Sequence, residues 1–237
     1  MIAGQVNQLE AITENLANCT TPGYRRLQVA HKTFESLLQD AVNPPGNYET
    51  GKRFDPISVD FTPGPLKTTE RSLDFAIHNE GFFVVEKDGQ EYYTRNGHFS
   101  VDAQGNLFNT DGFVVMGSLH PITIPAKTDL ATLTVDQNNG LRANGKLIDT
   151  IRIAHFSDPA QLNRAGTTLF TTPSGMSPED PKPGTQVING ALESSNTTVF
   201  GEMAEMISCM RSYEACQRMI RAHDENEGKM IQQVGSA

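Results

Sequence analysis

Apolar residues recur at intervals of three and four along the first stretch: Ile2, Val6, Leu9, Ile12 and Leu16, with Gln5, Gln8, Glu10 and Glu14 at the positions between. That spacing predicts an amphipathic helix with one apolar stripe. It should stop near Asn18, because Thr20-Thr21-Pro22-Gly23 places a proline and then a glycine where a helix would have to continue. Residues 30–72 lack a sustained period. His31 to Val42 allow a helix or a loose amphipathic arm, whereas Pro44-Pro45-Gly46, Pro56, Pro63 and Pro65 favour an extended linker running along other parts of the molecule.

From Leu73 the period becomes two. Leu73, Phe75 and Ile77 alternate with Asp74, Ala76 and His78, and Gly81-Phe82-Phe83-Val84-Val85 makes a buried strand. Asp88-Gly89 then predicts a hairpin into Glu91-Tyr92-Tyr93-Thr94. Further hairpin turns are expected at Asn96-Gly97, Gln104-Gly105-Asn106, Asp111-Gly112, Asn139-Gly140 and Asn144-Gly145. They punctuate short strands at Phe99 to Val101, Leu107 to Phe108, Phe113 to Met116, Leu133 to Val135 and Ile148 to Phe156. Turns at this frequency indicate an antiparallel sandwich or barrel. Asp158-Pro159-Ala160-Gln161-Leu162 predicts one helical turn, capped by Asp158 with Pro159 at its first position, and Pro173 to Gly184 a surface loop.

After Asn196 the helical period returns. Val199, Met206, Tyr213, Ile220 and Val234 share one heptad position, interrupted by Glu227; Met203, Met210 and Ile231 share the complementary one with Gln217 and Asp224. Glu214 with Arg218, and Glu225 with Lys229, are ion pairs four apart in the favourable order on a solvent-facing flank. A helix over 197–234 is about 55 Å long. Gly228 costs about 1 kcal/mol relative to Ala, so the last turns fray. A helix of that length carries more apolar surface than a 17-residue partner covers, and an uncovered stripe marks an association site.

The fold class is therefore α+β: N- and C-terminal helices packing as a coiled-coil-like pair around a central all-β domain. The expected divisions are an N-terminal helix and turn over 1–29, an extended linker over 30–72, the β domain over 73–195 and the C-terminal helix over 196–237.

Composition narrows the function. With 237 residues, 37% hydrophobic and 20% charged, and no Trp, the chain affords a real core without resembling a membrane or disordered protein. No apolar run approaches the roughly 18 residues of a membrane span. A net charge of -9 and a pI near 5.1 argue against nucleic-acid partners, which need clustered cations; only Arg25 with Arg26 and Lys52 with Arg53 are adjacent. Met1 to Cys19 carry Glu10 and Glu14 and lack the basic start and apolar run of a cleaved signal peptide, so export would use another route.

Candidate chemistry is sparse. Three cysteines do not all pair, and Cys209 and Cys216, seven apart on one helix, are separated by a rise of roughly 10 Å, too far for a disulfide. All three read as small apolar side chains. His31, His78, His98, His120, His155 and His223 are scattered without metal-ligand spacing. Asp102-Ala103-Gln104-Gly105-Asn106 lacks the alternating acids of a calcium loop and suits a hairpin turn. No nucleophile motif, phosphate loop or dinucleotide fingerprint is present. Neither a catalytic site nor a cofactor or metal site is expected. Met203, Met206, Met210, Met219 and Met230 fit packing better than a promiscuous peptide groove.

Three passages resemble the flagellar rod and hook proteins, in that family's order. The first is Glu14-Asn15-Leu16-Ala17-Asn18-Cys19-Thr20-Thr21-Pro22-Gly23-Tyr24-Arg25-Arg26. The second runs from Leu73 to Val85 and continues through Tyr93-Thr94-Arg95-Asn96-Gly97-His98-Phe99 and Asp102 to Leu107. The third is Gly190-Ala191-Leu192-Glu193-Ser194-Ser195-Asn196 followed by Met203 to Ile207 and Arg211-Ser212-Tyr213-Glu214-Ala215. Local chemistry suits these residues: Asn15 and Asn18 are placed to bond freed backbone groups at a helix end, and Asn196 and Thr197 to accept N–H bonds at the start of the last helix.

The resemblance implies a structural subunit of the flagellar basal-body rod. Its terminal helices would pack with those of other rod and hook proteins into a tube around the export channel, transmitting torque, with the β domain outside. It also implies export by the flagellar type III apparatus, a periplasmic location and terminal helices that are disordered before assembly. A single β domain fits a rod protein better than the larger hook protein, and Phe61 to Leu66 with Ser72-Leu73-Asp74 is more similar to the proximal-rod than the distal-rod type. In the family the first helix extends a couple of turns upstream of the stretch matching Met1. The expected assembly interface comprises Leu9, Ile12, Asn15, Leu16, Asn18, Pro22, Gly23, Val199, Met203, Met206, Met210, Tyr213 and Ile220. The chief alternative is a secreted β-rich binding module that its terminal helices merely oligomerise.

Overall fold

The computed structural model describes residues 2–29, 57–126, 128–173 and 175–235, with side chains described between Gly4 and His223. The expected arm from His31 to Val42 and the Pro44-Pro45-Gly46 break lie outside the described residues. The chain divides into two compact units. One gathers Met1–Ala17, Leu27–Val59 and Thr198–Ala237; the other gathers Asn18–Arg26 and Asp60–Thr197. The fold is α+β, with a large β unit and two long helices.

In the first unit, α1 (Ile2–Ala17) packs against α2 (Val199–Gly235). They run antiparallel, since Asn15 meets Glu202 at one end while Gln5 meets Cys209 and Cys216 further along. A short ribbon completes this unit: β1 (Leu27–Val29) pairs antiparallel with β2 (Ile57–Val59), Leu27 opposite Val59.

The second unit holds fifteen described strands: β3 (Leu66–Thr68), β4 (Phe75–His78), β5 (Phe82–Lys87), β6 (Gln90–Thr94), β7 (Phe99–Val101), β8 (Leu107–Asn109), β9 (Val114–Val115), β10 (Leu133–Val135), β11 (Gly140–Ala143), β12 (Lys146–Thr150), β13 (Ile153–Ala154), β14 (Asn163–Arg164), β15 (Leu169–Thr171), β16 (Gln186–Asn189) and β17 (Ala191–Glu193). The main sheet has the order β14-β15-β6-β5-β9-β8-β7, with β13 also joined to β5. β10, β11 and β12 form a second sheet, and β4 with β16 and β3 with β17 are pairs; every described pairing is antiparallel. Thus β2 and β3 are hydrogen-bonded strands inside the stretch anticipated as linker.

Most of the turn chemistry appears where anticipated. Asp88 and Gly89 both adopt positive φ (54° and 79°), as do Asn144 and Gly145 (50° and 76°). These two-residue turns match the right-handed twist of the strands they join. Asp102 accepts the N–H groups of Gln104 and Asn106, making the hairpin turn between β7 and β8. Asp158 caps the 3-10 turn Pro159–Gln161 by accepting the Ala160 N–H.

Asn96-Gly97 is different. It does not join neighbouring strands: β6 lies between β15 and β5, whereas β7 lies at the end of the sheet beside β8. Gly97 is there because the backbone of Phe75 passes over it, so close that an added Cβ would fall 1.7 Å from the Phe75 carbonyl oxygen. The stretch Ile148 to Phe156, anticipated as one strand, divides into β12 and β13 in different sheets.

The core of the β unit draws on the anticipated strands: Phe75, Ile77, Phe83, Val85, Phe99, Leu107, Val115, Leu133 and Ile153 are buried in one cluster, joined by Leu141 of β11 and Val187 of β16, two strands not anticipated from the sequence. Phe83 and Phe99 meet edge to face at 5.3 Å, a geometry favoured by the ring quadrupoles.

A buried ionic triad lies at Glu193. One carboxylate oxygen pairs with Arg25 at 2.7 Å, the other with Arg95 at 3.1 Å, and all three side chains are at most 5% exposed. Glu193 also accepts the Gly64 N–H through its carboxylate and the Gly23 N–H through its carbonyl. Arg25 donates to the Thr62 carbonyl, and Arg95 to the carbonyls of Ile77 and Asn79. Burial brings the Arg95 guanidinium down to about 10 against the pull of Glu193, leaving it charged at neutral pH. The three ions belong to the three separate passages that carry the family resemblance.

Two changes test this account. Gly97→Ala is expected to destabilise the protein by about 2–4 kcal/mol in urea unfolding, since the backbone of Phe75 must move to admit a methyl group. Glu193→Ala, which leaves two buried guanidinium groups without their shared carboxylate, is expected to cost about 3–5 kcal/mol.

Candidate assembly surface on the terminal helices

The 16 residues of α1 place Gln5, Ile12 and Asn15 on one face, seven and then three residues apart. Gln5 and Asn15 contact α2, and Ala11, Ile12 and Asn15 are buried. Leu16 is half-buried, while Val6 and Leu9 on the flank are 44% and 36% exposed. The helix ends as anticipated, with the Thr21 N–H bonding the Asn18 carbonyl and the Thr21 hydroxyl bonding the Asn18 side chain. Gly23 then takes φ +68° in the β unit, buried so closely on Asn96 that a Cβ would sit 2.3 Å from the Asn96 nitrogen. Pro22 beside it is half-buried.

Asn15 does not cap freed helix groups. Its amide faces β1 edge-on: Oδ1 accepts the Leu27 N–H and Nδ2 donates to the Leu27 carbonyl, both at 2.8 Å. The same Nδ2 donates to Glu202 at 3.2 Å. A side-chain amide carries the same donor and acceptor as a peptide unit, so Asn15 pairs with Leu27 as a neighbouring strand would.

The start of α2 also differs from expectation. Thr198 is the cap: its hydroxyl accepts the Gly201 N–H and its carbonyl the Glu202 N–H. Asn196 is taken up in the β unit, accepting the Arg26 N–H at 2.7 Å and donating to the carbonyls of Asp60 and Thr62. Its amide is spent on joining separated segments.

Along α2 the residues turned toward α1 are Glu202 and Cys209, buried, and Cys216, half-buried. Burial pushes the Cys209 thiol pKa up, and its Sγ faces the Gln5 carbonyl at 3.6 Å. Met206 is half-buried and Tyr213 is 36% exposed at the border of this face. Val199, Met203, Met210 and Ile220 are 40–52% exposed. The anticipated interface residues therefore separate into three groups. Ile12, Asn15 and Gly23 are consumed inside their own units, Leu16, Asn18, Pro22 and Met206 are half-buried, and Leu9, Val199, Met203, Met210, Tyr213 and Ile220 remain accessible.

The open stripe has two members that heptad reading passed over. Phe200 is 88% exposed and Ile207 is 51% exposed. With Met203 and Met210 they follow the spacing three, four, three, which puts all four on one face. That spacing was present in the sequence, but the longer heptad series through Val199, Met206 and Tyr213 obscured it. Beside this stripe, a cleft of about 420 Å³ runs between the helices, lined by Val6 and Leu9 from α1 and Met210 and Tyr213 from α2. The open apolar surface thus continues from one helix to the other.

Among the described residues no helix is long and apolar enough to cross a membrane, and no group of three or more His, Cys, Asp or Glu side chains is arranged to hold a metal. His155 is buried between Glu80 and Glu179, and Lys182 joins Glu80 at 2.6 Å. These pairs tie the Pro-rich loop to the β unit.

Comparison with known proteins agrees with this architecture. Residues 76–141 match the D1 domain of the flagellar hook proteins FlgE/F/G, and residues 188–233 match the C-terminal region of the flagellar basal-body rod FlgEFG proteins. The flagellar basal-body rod protein FlgG of Agrobacterium fabrum is 33% identical over 95% of this chain and 92% of its own length. FlgF of Salmonella typhimurium is 29% identical over 96% of this chain and 92% of its own, and FlgG of Bacillus subtilis 28% over 94% and 93%. Similarity of this extent across both the helical and the β units shows that the chain belongs to the family of flagellar basal-body rod proteins.

Proposed function

We propose that this chain serves as a structural subunit of the flagellar basal-body rod by presenting the open flank of its terminal helices to other subunits. The observation that carries the reading is the apolar row Phe200, Met203, Ile207 and Met210, continued by Val6 and Leu9 on α1. A 37-residue helix spans about 55 Å and a 16-residue helix about 24 Å, so α1 alone leaves much of α2 without a partner.

Magnitudes favour a lattice over a single pairing. Burying four such side chains yields on the order of 6–12 kcal/mol. Association of two proteins costs roughly 4–15 kcal/mol, so one contact is marginal and several neighbours around each subunit are needed. A contact between unlike patches of identical chains propagates without closing, which suits a shaft. In this reading the helices form a coiled-coil-like tube around the export channel. Partners are further copies and other rod and hook proteins. The chain reaches the periplasm through the flagellar export apparatus, and its role is structural and not enzymatic.

Phe200→Asp and Met203→Asp are expected to leave unfolding stability within about 0.5 kcal/mol of wild type, because both sites are exposed, and to abolish incorporation into isolated basal bodies together with motility. Normal incorporation of both variants would refute the proposed surface. Deleting residues 198–237 is expected to abolish incorporation while the β unit keeps its far-UV spectrum. A ligand-binding module oligomerised by its helices would instead retain binding after that deletion.

A further inference from the structure

Among the described side chains, Met203, Met210 and Met219 of α2 are 48%, 52% and 69% exposed, whereas Met116 in the β unit is 7% exposed. Met176 and Met206 are half-buried. A thioether in solvent is open to oxygen donors, and an enclosed one is not. Where each methionine stands on the helix decides what its oxidation does. Met203 and Met210, seven residues apart, lie on one face in the row with Phe200 and Ile207. Met219 comes nine residues after Met210, half a revolution further round the helix, and stands off that row.

We propose that the sulfur atoms of Met203 and Met210 are a modification site for hydrogen peroxide, and that their conversion to sulfoxide closes the open stripe to other subunits until the thioethers are restored. This inference rests on the proposed use of that stripe in assembly.

The step is a two-electron oxygen transfer. A sulfur lone pair attacks one peroxide oxygen, the S–O bond forms and the O–O bond breaks. The proton on the transferred oxygen passes to the departing hydroxide, which leaves as water. Sulfur is oxidised, peroxide is reduced, and no further reactant is consumed. The product is polar and chiral, with an oxygen that accepts hydrogen bonds and no donor. In the free chain that oxygen is solvated, because both side chains are about half exposed. At a subunit contact it would be taken from water beside Phe200 and Ile207, which offer it no donor, and an acceptor buried without a partner opposes the contact. Methionine sulfoxide reductases return the thioether, so the closure is reversible. Oxidation of Met219 adds the same oxygen away from the row and leaves the stripe as it was.

The test uses the full-length chain. Purified protein is exposed to hydrogen peroxide and its peptides are weighed by mass spectrometry; Met203, Met210 and Met219 should take up oxygen at least about tenfold faster than Met116. Incorporation into isolated basal bodies is scored for Met203→Gln combined with Met210→Gln, and for Met219→Gln, since glutamine imitates the length and polar end of a sulfoxide without any oxidant. The stripe pair should lose incorporation at least about tenfold at unchanged helicity, and Met219→Gln should incorporate as wild type does. In wild-type cells that make the chain only during a sublethal peroxide exposure, chain recovered from basal bodies should carry less sulfoxide at Met203 and Met210 than unassembled chain carries.

Reaction of Met203 and Met210 as slow as that of Met116 overturns the inference. So does normal incorporation of the glutamine pair, or equal sulfoxide at those two positions in assembled and unassembled chain. Failure of Met219→Gln as complete as that of the pair also overturns it, because the effect would then belong to α2 in general. Lost helicity in the pair does the same, since oxidation would act on the helix and not on its surface. If Phe200→Asp and Met203→Asp incorporate normally, the assembly reading itself fails; if they are excluded while the glutamine pair incorporates, this inference alone falls.

Discussion

The β unit is organised around one carboxylate. Glu193 comes from the last strand before α2, Arg25 from the turn after α1, and Arg95 from the crossing between β6 and β7. These segments are separated by about seventy to one hundred residues of chain, and none has a local reason to meet the others. Removing three charges from water is costly, so the triad is stable only with all members present and their remaining donors placed on backbone carbonyls. Arg25 meets Thr62, and Arg95 meets Ile77 and Asn79, while the buried Nε of each arginine has no hydrogen-bond partner. Such an arrangement discriminates strongly against incorrect assembly of the unit, whatever its net contribution to stability.

The helical unit repeats the same tactic with less charge. Asn15 bridges α1 to β1 and α2, and Asn196 joins the segments around Arg26, Asp60 and Thr62 within the β unit. In both cases an asparagine amide supplies one donor and one acceptor side by side, so it substitutes for a stretch of backbone where no strand runs. Helix propensity argues against asparagine inside α1, so the presence of Asn15 there marks a tertiary requirement.

The distribution of apolar residues divides the molecule by purpose. In the β unit Phe75, Phe83, Phe99 and the aliphatics around them are enclosed in one cluster. On α2, Phe200, Met203, Ile207 and Met210 are left in solvent, an arrangement that is unfavourable for an isolated chain and useful for one that assembles. Methionine suits that role, because an unbranched side chain adapts to neighbours whose exact shape differs from site to site.

The amino-acid sequence by itself determined the order of elements, the strand alternation and most of the turns. Each rests on interactions within a few residues: the three-and-four spacing of α1, the positive-φ turns at Asp88-Gly89 and Asn144-Gly145, the Asp158 cap on Pro159. Only the tertiary structure decided that Asn96-Gly97 crosses to a distant strand, that Asn196 leaves the capping of α2 to Thr198, and that the apparent linker supplies β2 and β3, which pair with β1 and β17. It also decided which face of α2 is covered: Glu202, Cys209 and Cys216 turn toward α1, while Val199, Met203, Met210, Tyr213 and Ile220, from both apolar series, stay accessible. Periodicity shows that a helix has an apolar face, but which face meets α1 depends on contacts such as that of Glu202 with Asn15, residues 187 positions apart that no local pattern relates.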